Sequence, residues 1–303
     1  MKHIFAVMTA FIFAISAVGC TNKDNSDVSN TSQKPVIYAS FFPVADLTKT
    51  IAGDKYEVRT IISSSQEPHG FEMSASSVAA ISDSELVVFN GAGMEGFIDD
   101  IKSQVGEDKC LDLSQGLTLL KTTGSNGDDV VNPHTWLSIK CASKQLEAIF
   151  EKLVSMDPDN TDYYKSNLDN ALSQFKQLDE KFESSISKVD KDKRYFVVSH
   201  AAFNYLANDY GLKQVAVTGI SPDDEPSAQQ LAKIADFVKN HDISTIFFEG
   251  SATPKVAQTL ATSTNVKTST MWTMESLSSE ECSLGYLKLM EKNLDALMES
   301  FNE

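Results

Sequence analysis

Val36-Ile37-Tyr38-Ala39-Ser40-Phe41-Phe42-Pro43-Val44-Ala45-Asp46-Leu47 begins as a short apolar strand and turns, through Ser40 to Pro43, into a helix. The helix is expected over Val44 to Ala52, with Gly53 as its stop. Tyr56 to Ile62 alternates like a second strand, Ser76 to Ser82 has a helical pattern, and Leu86 to Phe89 is a continuous apolar run. Strand, helix, strand, helix, strand is the order of a parallel sheet carrying helices on its faces. Lys109 to Leu113 and Thr118 to Leu120 read as further short extended pieces, and the polar stretch Lys121 to Asn132 as a loop.

The same frame returns later in the chain. Ser199-His200-Ala201-Ala202-Phe203-Asn204-Tyr205-Leu206 follows the apolar run Tyr195 to Val198, as Ser40 to Leu47 follows Val36 to Ala39. Gly211 stands where Gly53 stood, and Phe248-Glu249-Gly250 where Phe89-Asn90-Gly91 did. A repeat of this order predicts two α/β lobes of related architecture. Between them, apolar residues at Tyr164, Leu168, Leu172, Phe175, Leu178 and Phe182 fall three or four apart, the spacing of one buried helical face. That helix is expected from about Asn160 to Ser187, as a rigid strut between the lobes or as a core-packing helix. The domain expectation is a first lobe over 35–157, a linker helix over 158–190 and a second lobe over 191–303.

The first twenty residues read as an address. Lys2 supplies a basic start, and Ile4 to Val18 is an apolar run too short to span a bilayer stably. Ala17-Val18-Gly19-Cys20 looks like a lipoprotein box, with Cys20 the expected lipidation site, and 21–34 is polar enough to be a flexible tether. An extracytoplasmic, membrane-anchored protein follows. A formal net charge of −16 argues against nucleic-acid binding, which needs clustered Lys and Arg. The remaining cysteines, Cys110, Cys141 and Cys282, are odd in number, so at least one stays free or pairs with another chain.

Three histidines sit where strand-like runs give way to loops or helices: His69 in Glu67-Pro68-His69-Gly70, His134 in Asn132-Pro133-His134-Thr135-Trp136, and His200 in Ser199-His200-Ala201. Ligands in open α/β sheets collect beyond the carboxyl ends of the strands, which places these side chains in a cleft between the lobes. Three imidazoles and a carboxylate suit Zn2+ better than Mn2+ or Mg2+, which favour more oxygen. His241, at an expected helix end, reads as an ordinary surface histidine.

The chain resembles the solute-binding lipoproteins of zinc and manganese ABC transporters, most of all the zinc-uptake type. The resemblance rests on Glu-Pro-His-Gly-Phe-Glu at 67–72, Asn-Gly-Ala-Gly-Met-Glu at 90–95 and Asn-Pro-His-Thr-Trp-Leu at 132–137. It continues in Ser-His-Ala-Ala-Phe at 199–203, Glu-Pro-Ser at 225–227, Ile-Phe-Phe-Glu at 246–249 and the tail from Met274. It implies two Rossmann-like lobes, a long linking helix, little hinge motion, and metal ligands at His69, His134, His200 and Glu275. Glu249 is the competing carboxylate, expected to support a ligand but able to exchange roles with Glu275. Histidine at 200, where manganese-preferring relatives tend to carry a carboxylate, favours zinc. The 121–132 segment holds no histidine, so the auxiliary capture loop of some relatives is not implied.

The implied function is capture of Zn2+ and delivery to a membrane permease by a monomeric, non-enzymatic protein. A manganese-binding transporter component is one alternative. A surface zinc hydrolase is another, though no HExxH motif is present. A surface adhesin holding a structural metal is a third.

Overall fold

The computed structural model describes residues 34–123, 128–249 and 255–302. Cys20 and the expected leader and tether, apart from Lys34, therefore lie outside the described residues. The first half builds β1 (Val36–Ala39), α1 (Phe42–Ala52), β2 (Glu57–Thr60), α2 (Ala75–Ile81), β3 (Leu86–Phe89), α3 (Ile98–Val105) and β4 (Cys110–Asp112). These four strands form a parallel sheet in the order β2-β1-β3-β4. After β5 (Lys121–Thr123), β6 (Asp129–Val131), α4 (Ile139–Met156) and α5 (Thr161–Ile186), the pattern repeats. The second half runs β7 (Tyr195–Val198), α6 (Asn204–Tyr210), β8 (Lys213–Ala216), α7 (Ala228–Asn240), β9 (Thr245–Phe248), α8 (Lys255–Thr264) and β10 (Lys267–Thr270). Its sheet, also parallel, has the order β8-β7-β9-β10. In each half the first strand lies between the second and third, with the fourth outside the third. The matched frames at Ser40 and Ser199 therefore mark equivalent points of one repeated topology.

Strands β3 and β9 are buried at every position, which is why Leu86 to Phe89 reads as a continuous rather than an alternating run. Helix α1 carries Pro43 in its first turn, where a missing N–H costs nothing, and stops at Gly53, whose φ is 56°. A side chain on Gly53 would collide with the Tyr163 hydroxyl of α5, which donates to Asp54 Oδ1 at 2.8 Å. That turn is thus a docking point for the long helix.

Helix α5 links the halves and also packs as core along its length. Tyr164, Leu168, Ala171, Phe175, Leu178, Phe182 and Ile186 are buried. Asn167 donates to the Ile51 carbonyl of α1 at 2.9 Å, while Phe182 stacks on Tyr210 of α6 with ring centroids 5.0 Å apart. Helices α9 (Ser279–Cys282) and α10 (Gly285–Phe301) follow β10, and the Tyr286 N–H donates to Asp46 of α1 at 2.9 Å. The second half's last helix therefore closes over the first half. One apolar core runs from Ile37 to Leu297 through both sheets, and a smaller group around Val197, Val238 and Ile246 lies apart from it in the second half.

Two local expectations are corrected. The 121–132 segment is not a plain loop, because β5 and β6 pair antiparallel, Lys121 facing Val131. Thr118 to Leu120 forms no strand. The strands of this hairpin are three residues long, with Lys121, Asp129 and Val131 exposed, too short to give a periodic signal.

Candidate metal centre

All four expected ligands come from segments that leave the carboxyl ends of strands. His69 lies in the stretch after β2, where the Glu67 carboxylate accepts the His69 backbone N–H at 3.1 Å. His134 follows β6 and precedes a short turn of 3-10 helix over Thr135–Leu137. Asn90, at the end of β3, holds this segment: its Nδ2 donates to the Pro133 carbonyl at 2.8 Å, and its Oδ1 accepts from Thr135 Oγ1 at 2.7 Å. His200 follows β7, with the Ala201 N–H donating to the Gly219 carbonyl at 2.8 Å. Glu275 follows β10, directly after Met274, a buried residue with φ of 66°. A left-handed backbone at a non-glycine residue costs about 1 kcal/mol or more, and such strain concentrates where a functional side chain must be aimed.

The four side chains converge. His134 Nε2 lies 3.2 Å from His69 Nε2 and 3.2 Å from His200 Nε2. Glu275 Oε1 lies 3.0 Å from His69 Nε2 and 2.9 Å from His134 Nε2, and its Oε2 is 3.3 Å from His200 Nε2. All four donor atoms lie within 4.8 Å of one another. A Zn–N bond of about 2.0–2.1 Å sets tetrahedral ligand–ligand edges of about 3.3 Å. The separations of 2.9–3.3 Å are close to those edges.

Hydrogen bonds to the Nδ1 atoms orient the two buried imidazoles. His134 Nδ1 is 2.8 Å from Asn132 Oδ1, an acceptor, so the ring proton sits on Nδ1 and Nε2 is a bare lone pair. His200 Nδ1 is likewise bonded to the Glu249 carboxylate, which also accepts from the Ser199 hydroxyl. His134 Nε2 and His200 Nε2 face each other and the Glu275 carboxylate while both Nδ1 atoms are committed elsewhere, an arrangement that suits a shared cation. Glu275 Oε2 is buried without a hydrogen-bond partner, an orphan that a metal bond would satisfy.

Burial pushes the His134 imidazole down to about 4 against the raising pull of Glu275, so it stays neutral and ready to ligate. Burial also acts to lower His200, but the Glu249 and Glu275 carboxylates outweigh it and hold it well above the usual value. At Glu275 burial works upward, yet His200 and His134 keep the carboxyl well below the ordinary range. Burial, then the Glu275 charge, raises Glu67 to about 7.

His69 side-chain exposure is 11%, against 0% for His134 and His200 and 1% for Glu275. The site therefore reaches solvent past His69. Glu249 sits behind His200, on Nδ1, and Glu275 faces the three Nε2 atoms. The next helix, α9, takes its N-cap from Ser278, with Glu281 completing the capping box, so Glu275 does not cap it. His241 stacks on Phe237 of its own helix end, away from the cluster. The sequence reading did not single out Asn132, Asn90 and Trp136 as supports, although Asn132 and Trp136 flank His134 within the stretch quoted for it.

The family of zinc-uptake complex component A, periplasmic, matches residues 37–300. The chain belongs to this family. A family relative in Bacillus subtilis (strain 168), the high-affinity zinc uptake system protein ZnuA, is 34% identical over 311 residues, covering 98% of this chain and 96% of the relative. The zinc-binding lipoprotein AdcA of Streptococcus pneumoniae (strain ATCC BAA-255 / R6) is 34% identical over 317 residues, and there the chain spans only 62% of the relative's length. The Zn(II)-bound ZnuA-like domain of Streptococcus pneumoniae AdcA superposes with a TM-score of 0.76 at 36% identity, covering 89% of this chain and 100% of that one. The laminin-binding protein Lmb of Streptococcus agalactiae, described as a bifunctional adhesin and metal transporter, superposes at 0.80 with 34% identity over 88% of this chain and 99% of that one.

Proposed function

We propose that this protein captures Zn2+ outside the cytoplasm and presents it to the membrane permease of an ABC importer. His69, His134, His200 and Glu275 are the zinc ligands, and Glu249 orients His200. The observation that carries this reading is the convergence of three imidazole Nε2 atoms and one carboxylate at tetrahedral-edge distances, with Glu275 Oε2 otherwise unsatisfied. The nitrogen-rich set favours zinc over manganese. Membership of the zinc-uptake family and the zinc-binding names of the relatives support the same reading. Four protein donors fill a tetrahedral shell and leave no position for an activated water, which disfavours hydrolysis. Zinc enters and leaves past His69, the one ligand that reaches solvent. Cys20 is the proposed lipid attachment site, in line with the lipoprotein name of the pneumococcal relative.

Calorimetric titration of the purified protein is expected to show one tight zinc site. His134→Ala or His200→Ala should each weaken it by roughly a hundredfold or more, about 3 kcal/mol. Unchanged affinity in both variants would remove the ligand assignment.

A further inference from the structure

Asn132 is fully buried and holds both halves of the site with a single side chain. Its Oδ1 accepts from the His134 backbone N–H at 3.0 Å and from His134 Nδ1 at 2.8 Å. Its Nδ2 donates to the carbonyl of Ala201, the residue after His200, at 2.8 Å. The amide can point only one way, since the reverse orientation would set its oxygen against the Ala201 carbonyl and its NH2 against two donors. Its backbone carbonyl accepts from the Tyr205 hydroxyl of α6 at 2.8 Å, and the same hydroxyl accepts from the Leu120 N–H at 3.0 Å. Asn132 thus fastens the segment carrying His134 to the second half at two points.

We infer that Asn132 is the positioning residue that couples the two halves of the zinc site, setting the tautomer of His134 and the location of the His200 segment through one carboxamide. The inference rests on the zinc-binding reading above. A group that only fixed the His134 tautomer would need an acceptor alone, and a carboxylate would serve better, because it makes the imidazole a stronger donor to the metal. A coupling group needs the N–H as well.

Asn132→Asp separates these two roles. It keeps an acceptor for His134 Nδ1–H, removes the donor to Ala201, and sets a carboxylate oxygen against that carbonyl. Asn132→Leu removes both contacts at similar volume. The test is the rate at which an excess of a chromogenic chelator strips zinc from wild type and both variants. The cobalt(II)-substituted absorption spectrum and the thermal midpoint of each metal-free protein are measured alongside. Both variants are expected to release zinc roughly ten- to a hundredfold faster than wild type, the range for losing a group that orients a metal ligand. The intense visible bands of four-coordinate cobalt should also weaken in Asn132→Asp.

If Asn132→Leu does not fold, Asn132→Asp alone carries the test. Release from Asn132→Asp at or below the wild-type rate would overturn the coupling role. So would a lowered metal-free midpoint with rate and spectrum unchanged, which marks a fold contact only. Wild-type protein that takes up no zinc would instead overturn the underlying reading, and this inference with it.

Discussion

The indole Nε1 of Trp136 donates to the backbone carbonyl of Thr273 at 2.7 Å. Trp136 lies two residues beyond His134 and Thr273 two residues before Glu275, so the bond ties a first-half ligand segment to a second-half one. A second tie, from the Leu277 N–H to the Ser64 carbonyl at 2.6 Å, joins the Glu275 segment to the chain leading to His69. Ligand loops cross-linked in this way are preorganised, which favours tight capture of a small ion over large closing motions.

Trp136→Phe keeps an aromatic ring against Phe41, whose centroid is 4.9 Å away, but removes the N–H from a buried carbonyl. Leaving a buried acceptor without its donor costs about 1–3 kcal/mol. Urea unfolding of the metal-free variant should show a loss of that size, and an unchanged midpoint would mean that the bond carries no weight in the fold.

Glu249→Gln preserves size and an acceptor for His200 Nδ1 but removes the negative charge. The imidazole becomes a weaker donor to the metal, and zinc affinity should fall by roughly tenfold or more. The measurement is competition with a chelator of known affinity. Equal affinity would show that Glu249 merely fills space.

Glu95 is buried and accepts the backbone N–H groups of Asn90 at 2.8 Å and Gly91 at 3.0 Å. Burial pushes its carboxyl from 4.5 up to about 7. A raised pKa means that the folded protein holds the proton more tightly than the unfolded chain does. The associated stability is complete below about 4.5 and is lost as pH rises through about 7, a change of up to ~3 kcal/mol. Glu95→Gln does not titrate. The stability of metal-free wild type minus that of the variant should therefore decline from pH 4.5 to pH 7.5 in denaturant titrations. A gap that stays constant would contradict the buried, protonatable role.

The repeated topology was readable because both halves announce themselves in the same way: an apolar run, a Ser-led turn, a helix and a glycine stop. His69 and His200 were readable as candidates because strand ends of parallel sheets are where ligands gather, whereas His134 follows β6 of the antiparallel hairpin. The fourth candidate was harder to read. Glu249 and Glu275 both follow strands of the second half, and only the folded geometry shows one facing three Nε2 atoms and the other behind His200 on Nδ1. The left-handed Met274 that aims Glu275 has no signature in sequence, since the position holds neither Gly nor Asn. Asn132 lay at the end of the expected 121–132 loop, and its bonds reach 69 residues along the chain to Ala201.

The most direct test of the central claim is a crystal structure of the zinc-loaded protein with anomalous data collected on both sides of the zinc edge. One strong peak is predicted, bonded at about 2.0–2.2 Å to Nε2 of His69, His134 and His200 and to the Glu275 carboxylate. A peak ligated by Glu249 in place of Glu275, or no peak among these four side chains, would contradict it.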